Sequence, residues 1–209
     1  MVPTANLLAF TLAAIVIVVL PGPSVLFVIG RALSIGRVGA HLSVVGNALG
    51  MFVQVLVIAA GLGAILEQSV LALTIVKFVG AGFLVYLGVQ AIRHRKRVSE
   101  VVVTSRSRWR SLIEGVVVGV TNPKSVVFFV AVLPQFVVPE SGAVGTQLVE
   151  LGAVFVTLAL VCDSVWALGA SAARAWFGRS PRRLSVLGAS GGVALIGLGV
   201  GLAVSGNKH

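Results

Sequence analysis

The chain has 209 residues, of which 57% are hydrophobic and only 11% are charged. Its mean hydropathy of +1.07 lies far outside the range of soluble globular proteins, which excludes a sizeable soluble domain. The composition predicts an all-α integral membrane protein. At about 20 residues per span, the length accommodates about six transmembrane helices with short loops. We therefore expect a single transmembrane domain over residues 1–209.

The formal net charge of +10 could indicate nucleic-acid binding, but the positions of the basic residues argue against it. Most of them fall in three clusters, each between apolar runs. Basic loops of membrane proteins lie on the cytoplasmic side and contact anionic lipids. We therefore expect membrane lipids and no nucleic acid as partners. The clusters are Arg31 with Arg37, the basic residues of 93–110, and Arg174 with Arg179, Arg182 and Arg183.

Cysteine and histidine usage bounds the metal and redox chemistry. Cys162 is the only cysteine, which excludes an intramolecular disulfide and a Cys-x-x-Cys motif. The three histidines, His41, His94 and His209, fall outside the apolar runs. We therefore expect no metal site and no cofactor.

Six apolar runs follow one another, each long enough to cross a bilayer. We expect the first to stay in the membrane rather than to be cleaved as a signal peptide, because no basic segment precedes it and Arg31 follows it. Placing the basic clusters in the cytoplasm puts both termini outside. The runs cover residues 4–30, 42–66, 70–92, 112–138, 147–173 and 184–204.

The first run is interrupted near its end by Pro21, Gly22, Pro23 and Ser24. Each proline removes a backbone donor and leaves a carbonyl one turn earlier without a helical partner. At membrane depth such backbone is tolerated only where protein covers it or where it lines a cavity. Broken helices often carry the substrate site of transporters. We interpret these four residues as part of a translocation site.

The second run carries a small, polar helix face. Asn47, Gly50 and Gln54 follow the i, i+3, i+7 spacing, and Gly46 stands beside them. One interpretation is a Gly-x-x-x-Gly packing seam with hydrogen bonds between helices. The other is a direct role of Asn47 or Gln54 in the pathway. The sequence leaves both open.

The third run contains Lys77 about two turns from its outer end. Its ammonium either reaches the interface along its aliphatic stem or has a function inside the membrane. The Arg-rich stretch 93–111 follows this run and is interpreted as a cytoplasmic linker between two halves of the chain.

The fourth and fifth runs carry charge at their midpoints. Asn122, Pro123 and Lys124 form a second break, and a lysine at the bilayer centre costs about 2.5–3.5 kcal/mol on insertion scales. Asp163 is the only acid deep inside a predicted span. We expect Lys124 to be its partner, either at a functional site or as a pair that serves packing alone.

The two breaks suggest an internal repeat. The segment 23–28 resembles 123–130, and three spans separate the breaks, so the halves cross the membrane in opposite senses, as in inverted repeats. We predict two inverted three-helix repeats, residues 4–92 and 112–204, with broken first and fourth helices. Their helix N-termini would attract anions and their carbonyls cations. A zwitterion carries one group of each kind.

An ordered set of motifs runs along nearly the whole chain: Pro21 to Pro23, the basic connector 31–39, Gly46 to Gly50, Lys77 with Gly80 and Ala81, Tyr86 to Gly88, Asn122 to Lys124, and Leu133 to Phe136. This set resembles the lysine-exporter and homoserine/threonine-resistance family of bacterial amino-acid efflux proteins. The resemblance implies a six-span exporter in the cytoplasmic (inner) membrane, driven by proton exchange and assembled as a homodimer.

The sequence thus predicts secondary-active export of an amino acid or a similar metabolite by alternating access. The two breaks would shape the central site. Lys124 would bind the substrate carboxylate or tune the acid, and Asp163 would carry the coupling proton. The sequence does not indicate which amino acid is exported.

Three alternatives belong to other classes. An exporter of metal or inorganic cations would need histidines, cysteines or several carboxylates inside the spans, where we find Asp163 with Cys162 beside it. An enzyme would need a clustered acid, base and nucleophile. A purely structural or regulatory membrane protein would not need charges at the bilayer centre.

Overall fold

The computed structural model describes residues 1–66 and 108–173 without a gap, together with single positions within 75–93 and 180–204. This part of the chain is almost wholly helical and contains no β-strand. The prediction of an all-α protein built from apolar helices is confirmed for it.

Five α-helices span the two continuous ranges. Helix α4 is followed by two short 3₁₀ turns, which lead into α5. The bounds are α1 Thr4–Val19, α2 Pro23–Leu66, α3 Arg108–Thr121, α4 Pro123–Ala131, the turns Leu133–Phe136 and Pro139–Ser141, and α5 Val144–Ala172.

Helix α2 is a pair of helices joined at Gly36. This residue has φ 81° and ψ −174°, a conformation that a residue with a Cβ rarely adopts. The basic connector at 31–39, expected between the first two runs, is helical on both sides of Gly36. Arginine side chains can extend from a helix to the membrane interface, so these charges do not require the helix to end.

The linker predicted at 93–111 ends earlier than expected, because α3 already begins at Arg108. Trp109 and Arg110 lie in its first turn, and their side chains are exposed. Most of the predicted linker, and Lys77 in the third run, lie outside the described residues.

Two helices in the described ranges are long and apolar enough to cross a membrane. Two further pairs of helices are bent at a short break, and each pair counts as one more span if it crosses as a unit. The single helices are Ile35–Gly61 and Val144–Ala172, and the pairs are Thr4–Val19 with Pro23–Leu33, bent by 48°, and Arg108–Thr121 with Pro123–Phe136, bent by 43°. The six-span inverted repeat stays a prediction.

Helices α2 and α3 pack with their backbones in direct contact. A Cβ on Gly46 or Gly50 would collide with the carbonyl oxygens of Leu112 or Val116. Reciprocally, Gly115 and Gly119 of α3 lie against the carbonyl oxygens of Ser43 and Asn47. The set Gly46, Gly50, Gly115 and Gly119 is called the glycine seam below. Such close approach is typical of small-residue interfaces in membrane proteins.

Apolar side chains form two clusters on either side of a polar layer. The large core joins α1, α4, the second half of α2 and the first half of α5. Within it the rings of Phe128, Phe129 and Phe155 contact one another, and Phe10 contacts Phe128. The small core joins both halves of α2 to the second half of α5. Its buried members are Val25, Val28, Ile29, Ala32, Ala40, Val44, Ala167 and Ala170.

Candidate functional site

The two helix breaks meet each other between these cores. The amide of Asn122, at the second break, donates to the hydroxyl of Ser24 at the first, with 3.1 Å between the heavy atoms. The ammonium of Lys124 donates to the carbonyl of Leu20 at 2.8 Å. All four residues are distant in sequence, so the fold itself brings the breaks together.

The first break ends α1 and begins α2. Leu20 turns extended (φ −72°, ψ 125°) at the end of α1, and Pro21 and Pro23 cannot donate to the carbonyls of its last turn. Lys124 supplies a charged donor to one carbonyl there. A cation is favoured at this position, because the carbonyl end of a helix carries a partial negative charge.

The second break is built as a capped helix start. The side chain of Asn122 accepts from the backbone N–H of Lys124 at 3.1 Å, and Pro123 occupies the first turn of α4. Both features are typical of a helix N-terminus. The preceding helix end is satisfied from α2, where the amide of Gln54 donates to the carbonyl of Val120 at 2.8 Å.

Gln54 and Ser125 extend this network. The hydroxyl of Ser125 donates to the side-chain oxygen of Gln54 at 2.8 Å and lies 3.1 Å from the carbonyl of Asn122. Both side chains are buried. Of the two interpretations of the polar face on α2, Gln54 fits the structural one, because it holds the broken helix end in place.

Asp163 lies in the middle of α5 and is 3% exposed. Its carboxylate accepts a hydrogen bond from the amide of Asn47 at 2.9 Å. Asn47 is fully buried in the glycine seam, and its own amide oxygen has no hydrogen-bond partner among the described residues. Asn47 therefore contacts the site through its hydrogen bond to Asp163 and does not line the central cavity itself.

A cavity of about 20 Å³ lies where the breaks and α5 meet. That volume holds about one water molecule and is far too small for an amino acid. Polar and apolar side chains both line it. Its lining residues are Ser24, Asn122, Lys124, Ser125 and Asp163 together with Val18, Val25, Met51, Phe155 and Ala159.

Lys124 and Asp163 both line this cavity, but no direct ion pair joins these two described side chains. Lys124 points to Leu20, and Asp163 is held by Asn47. The expected partnership therefore takes the form of two opposite charges across a cavity, each with a separate neutral partner.

The other predicted site residues are placed as follows. Pro21 and Gly22 are buried at the first break, and Gly22 packs against the Lys124 side chain. Pro23 is exposed at the start of α2. Sequence reasoning missed Met51 and Phe155, which look like ordinary core residues. It also missed Gly115 and Gly119, although their Gly-x-x-x-Gly spacing matches that of Gly46 and Gly50 and could have indicated the seam.

No group of three or more His, Cys, Asp or Glu side chains that could hold a metal ion occurs in the described ranges. The arrangement around the cavity offers one cation, one carboxylate, two hydroxyls and an amide. Those groups can bind a small polar molecule once the cavity widens.

Broken helices that meet at a polar cavity are typical of one class of protein, the membrane transporters. Comparison with known proteins gives the family. Residues 15–206 match the LysE type translocator family, so the chain belongs to that family. Its members are transporters rather than enzymes.

Full-length relatives extend the comparison. The chain is 32% identical over 200 residues to an uncharacterized membrane protein of Vibrio cholerae, covering 95% of this chain and 96% of the relative. It is 28% identical over 196 residues to a homoserine/homoserine lactone efflux protein of Salmonella typhimurium, covering 93% and 94%. An uncharacterized membrane protein of Bacillus subtilis is 26% identical over 210 residues, covering 96% and 99%. No solved structure matches the chain.

Proposed function

We propose that this protein exports an amino acid or a closely similar metabolite across the bacterial cytoplasmic membrane by proton-coupled alternating access. The observation that carries the proposal is the cavity between the two helix breaks, which both Lys124 and Asp163 line. Membership in a translocator family and resemblance to a homoserine/homoserine lactone efflux protein support it.

The cavity favours a zwitterion without further charge. Lys124 matches a carboxylate and Asp163 matches an ammonium group, while Ser24, Asn122 and Ser125 offer neutral hydrogen bonds. The apolar wall of Val25, Met51 and Phe155 suits a short aliphatic stem. A lysine or arginine substrate would bring a second cation, for which the described lining has no second carboxylate. Small neutral amino acids, including hydroxylated ones, are therefore the expected substrates.

Asp163 is the proposed proton carrier. A buried carboxylate inside a membrane helix is costly and is commonly functional. Asn47 donates to one of its oxygens, and Asp163 also lines the cavity. Protonation would cancel its attraction for a substrate ammonium group, so substrate and proton would occupy the site in turn.

An efflux screen tests the proposal. Cells expressing the chain are fed dipeptides, and the amino acids that leave are measured against cells carrying an empty vector. We expect one or a few small neutral amino acids to leave several-fold faster, and Lys124→Met to abolish this gain. Arg37→Gln, which removes an exposed charge of α2, is the matched control and should retain it.

Equal efflux from both cell types for every amino acid, with the protein present in the membrane, would contradict the proposal. Protection from a metal cation instead of amino-acid efflux would favour the cation-exporter alternative.

A further inference from the structure

A second charged site lies away from the central cavity and joins α2 to α3. Arg31, in the first half of α2, forms an ion pair with Glu114 of α3, and their side chains are 11% and 25% exposed. The guanidinium also lies 5.0 Å above the ring centre of Phe27. Arg110, one turn before Glu114, forms a second ion pair with it at 3.0 Å.

This ion pair lies at a similar distance from both breaks. Arg31 comes seven residues after Ser24, and Glu114 comes eight residues before Asn122. At about 1.5 Å per helical residue, each is roughly 10–12 Å along its helix from the central cavity. The pair therefore bridges the two segments that flank the cavity on one side. The basic clusters assign that side to the cytoplasm.

The helical segment Pro23–Leu33 is flanked by an interruption of the helix at each end. The break at Pro21 and Gly22 precedes it, and Gly36, with its positive φ, follows it. Helix α3 is by contrast held to the second half of α2 by the glycine seam. If one of these two segments moves, it is Pro23–Leu33, as a short rigid rod.

We propose that Arg31 and Glu114 form the cytoplasmic gate of the transport pathway, closed in this structure. The inference rests on the proposed transport function. Opening separates Arg31 from Glu114 and swings Pro23–Leu33 away from α3, which exposes Ser24 and the cavity to the cytoplasm. The small core, which lies on the same side, separates with it.

Arg110 makes this gate reversible. A carboxylate without a cationic partner in a partly buried site would carry a large desolvation penalty. Because Arg110 is on the same helix as Glu114 and already contacts it, Glu114 keeps a cationic partner when Arg31 leaves. Arg31 in turn keeps its contact with Phe27, since both lie on the moving segment.

Chemical labelling of the cavity tests the gate without any substrate or gradient. Ser24→Cys, in a Cys162→Ala background, places a single thiol in the cavity wall. Inside-out and right-side-out membrane vesicles are treated with a membrane-impermeant maleimide, and the labelling rate is followed. We expect Arg31→Gln and Glu114→Gln each to raise the rate about fivefold, as loss of a partly buried ion pair predicts, and only from the cytoplasmic face.

The double variant Arg31→Gln with Glu114→Gln should label no faster than either single variant, because the Arg31–Glu114 pair is lost in all three. The Arg110–Glu114 pair, which Glu114→Gln also removes, lies within α3 and does not hold the two segments together. Arg37→Gln, on the same helix pair and exposed, should leave the rate unchanged. Arg31→Lys, which keeps the charge, should stay within about twofold of the parent.

Unchanged rates in both single variants, additive effects in the double variant, or faster labelling from the outer face would overturn the gate. The melting temperature of each variant in detergent separates gating from general loosening, since a gate variant melts within a few degrees of the parent. Faster labelling that accompanies a large drop in melting temperature also counts against the proposal. Because no transport is measured, the gate can fail while amino-acid export stands, and the reverse.

Discussion

Gly22 shows how one missing side chain shapes the candidate site. Its backbone is not in the positive-φ region, so its conformation is open to other residues. Glycine is required there because a larger residue has no room: a Cβ would lie 2.9 Å from Cδ and 3.2 Å from Nζ of Lys124. Gly22 thus lets the lysine side chain pass close to the break and reach the carbonyl of Leu20.

Gly22→Ala should therefore impair transport while the protein still folds. The added methyl group meets a flexible side chain, which can move, but Lys124 then loses its hydrogen bond to Leu20. We expect initial transport rates in vesicles to fall about tenfold, which corresponds to roughly 1.4 kcal/mol for a charge-assisted hydrogen bond, with the melting temperature nearly unchanged. Gly169→Ala, where a Cβ meets open space, is the control. Full activity of Gly22→Ala would show that the position of Lys124 is not critical.

At the residue level, the sequence predicted the charged members of the site but not their partners. Lys124 and Asp163 are recognisable because charges inside apolar runs are costly. Lys124 donates to the carbonyl of Leu20, and Asp163 accepts from the amide of Asn47. A backbone carbonyl has no signature in the sequence. The role of Gln54 could not be separated from that of Asn47 either, because both lie on one helix face and differ only in what they meet.

At the level of elements, the glycine seam sets the position of Asn47. The Asn47 carbonyl lies against Gly119, and the neighbouring glycines allow α2 and α3 to approach within backbone contact. Separating these helices would move Asn47 relative to Asp163 and would also withdraw Gln54 from the second break. The seam is therefore a structural support of the site.

Gly119→Ala should destabilise the protein by about 1–3 kcal/mol, as expected when a methyl group is forced into a packed interface that cannot yield. The melting temperature in detergent measures this. Gly61→Ala is the matched control on α2, because a Cβ there meets nothing within 4 Å and alanine is the better helix former. Equal melting temperatures for both variants would contradict the seam.

Element boundaries were predictable where proline punctuates the chain and less so elsewhere. Pro23 and Pro123 each begin a helix in the structure, as proline in an apolar run suggests. The sequence predicts only a basic connector around Arg31 and Arg37, because charges usually mark membrane interfaces. This connector is helical apart from Gly36, which alone changes the chain direction.

At the level of the whole molecule, two cores enclose a polar layer. Along α2 the order is small core, Asn47, large core, and along α5 it is the reverse, large core, Asp163, small core. The cavity lies in this layer. In the proposed alternating access, one core opens at a time. We expect the small core to open first, because none of its buried members is aromatic.

The whole-molecule arrangement was predictable only in outline. The sequence indicated that the breaks near Pro23 and Pro123 would meet, and the Ser24 to Asn122 hydrogen bond joins them. The size of the cavity could not be foreseen, because it depends on how Met51 and Phe155 pack. The inverted repeat stays a prediction, since its third and sixth helices fall largely outside the described residues.

Proton coupling through Asp163 is the central claim, and purified protein in proteoliposomes tests it most directly. The wild-type protein and Asp163→Asn are compared in two assays with the substrate that the efflux screen identifies: uphill transport driven by a pH gradient, and counterflow exchange without one. We expect the wild type to perform both and Asp163→Asn to retain exchange while losing uphill transport. Uphill transport by Asp163→Asn at the wild-type rate would contradict the account.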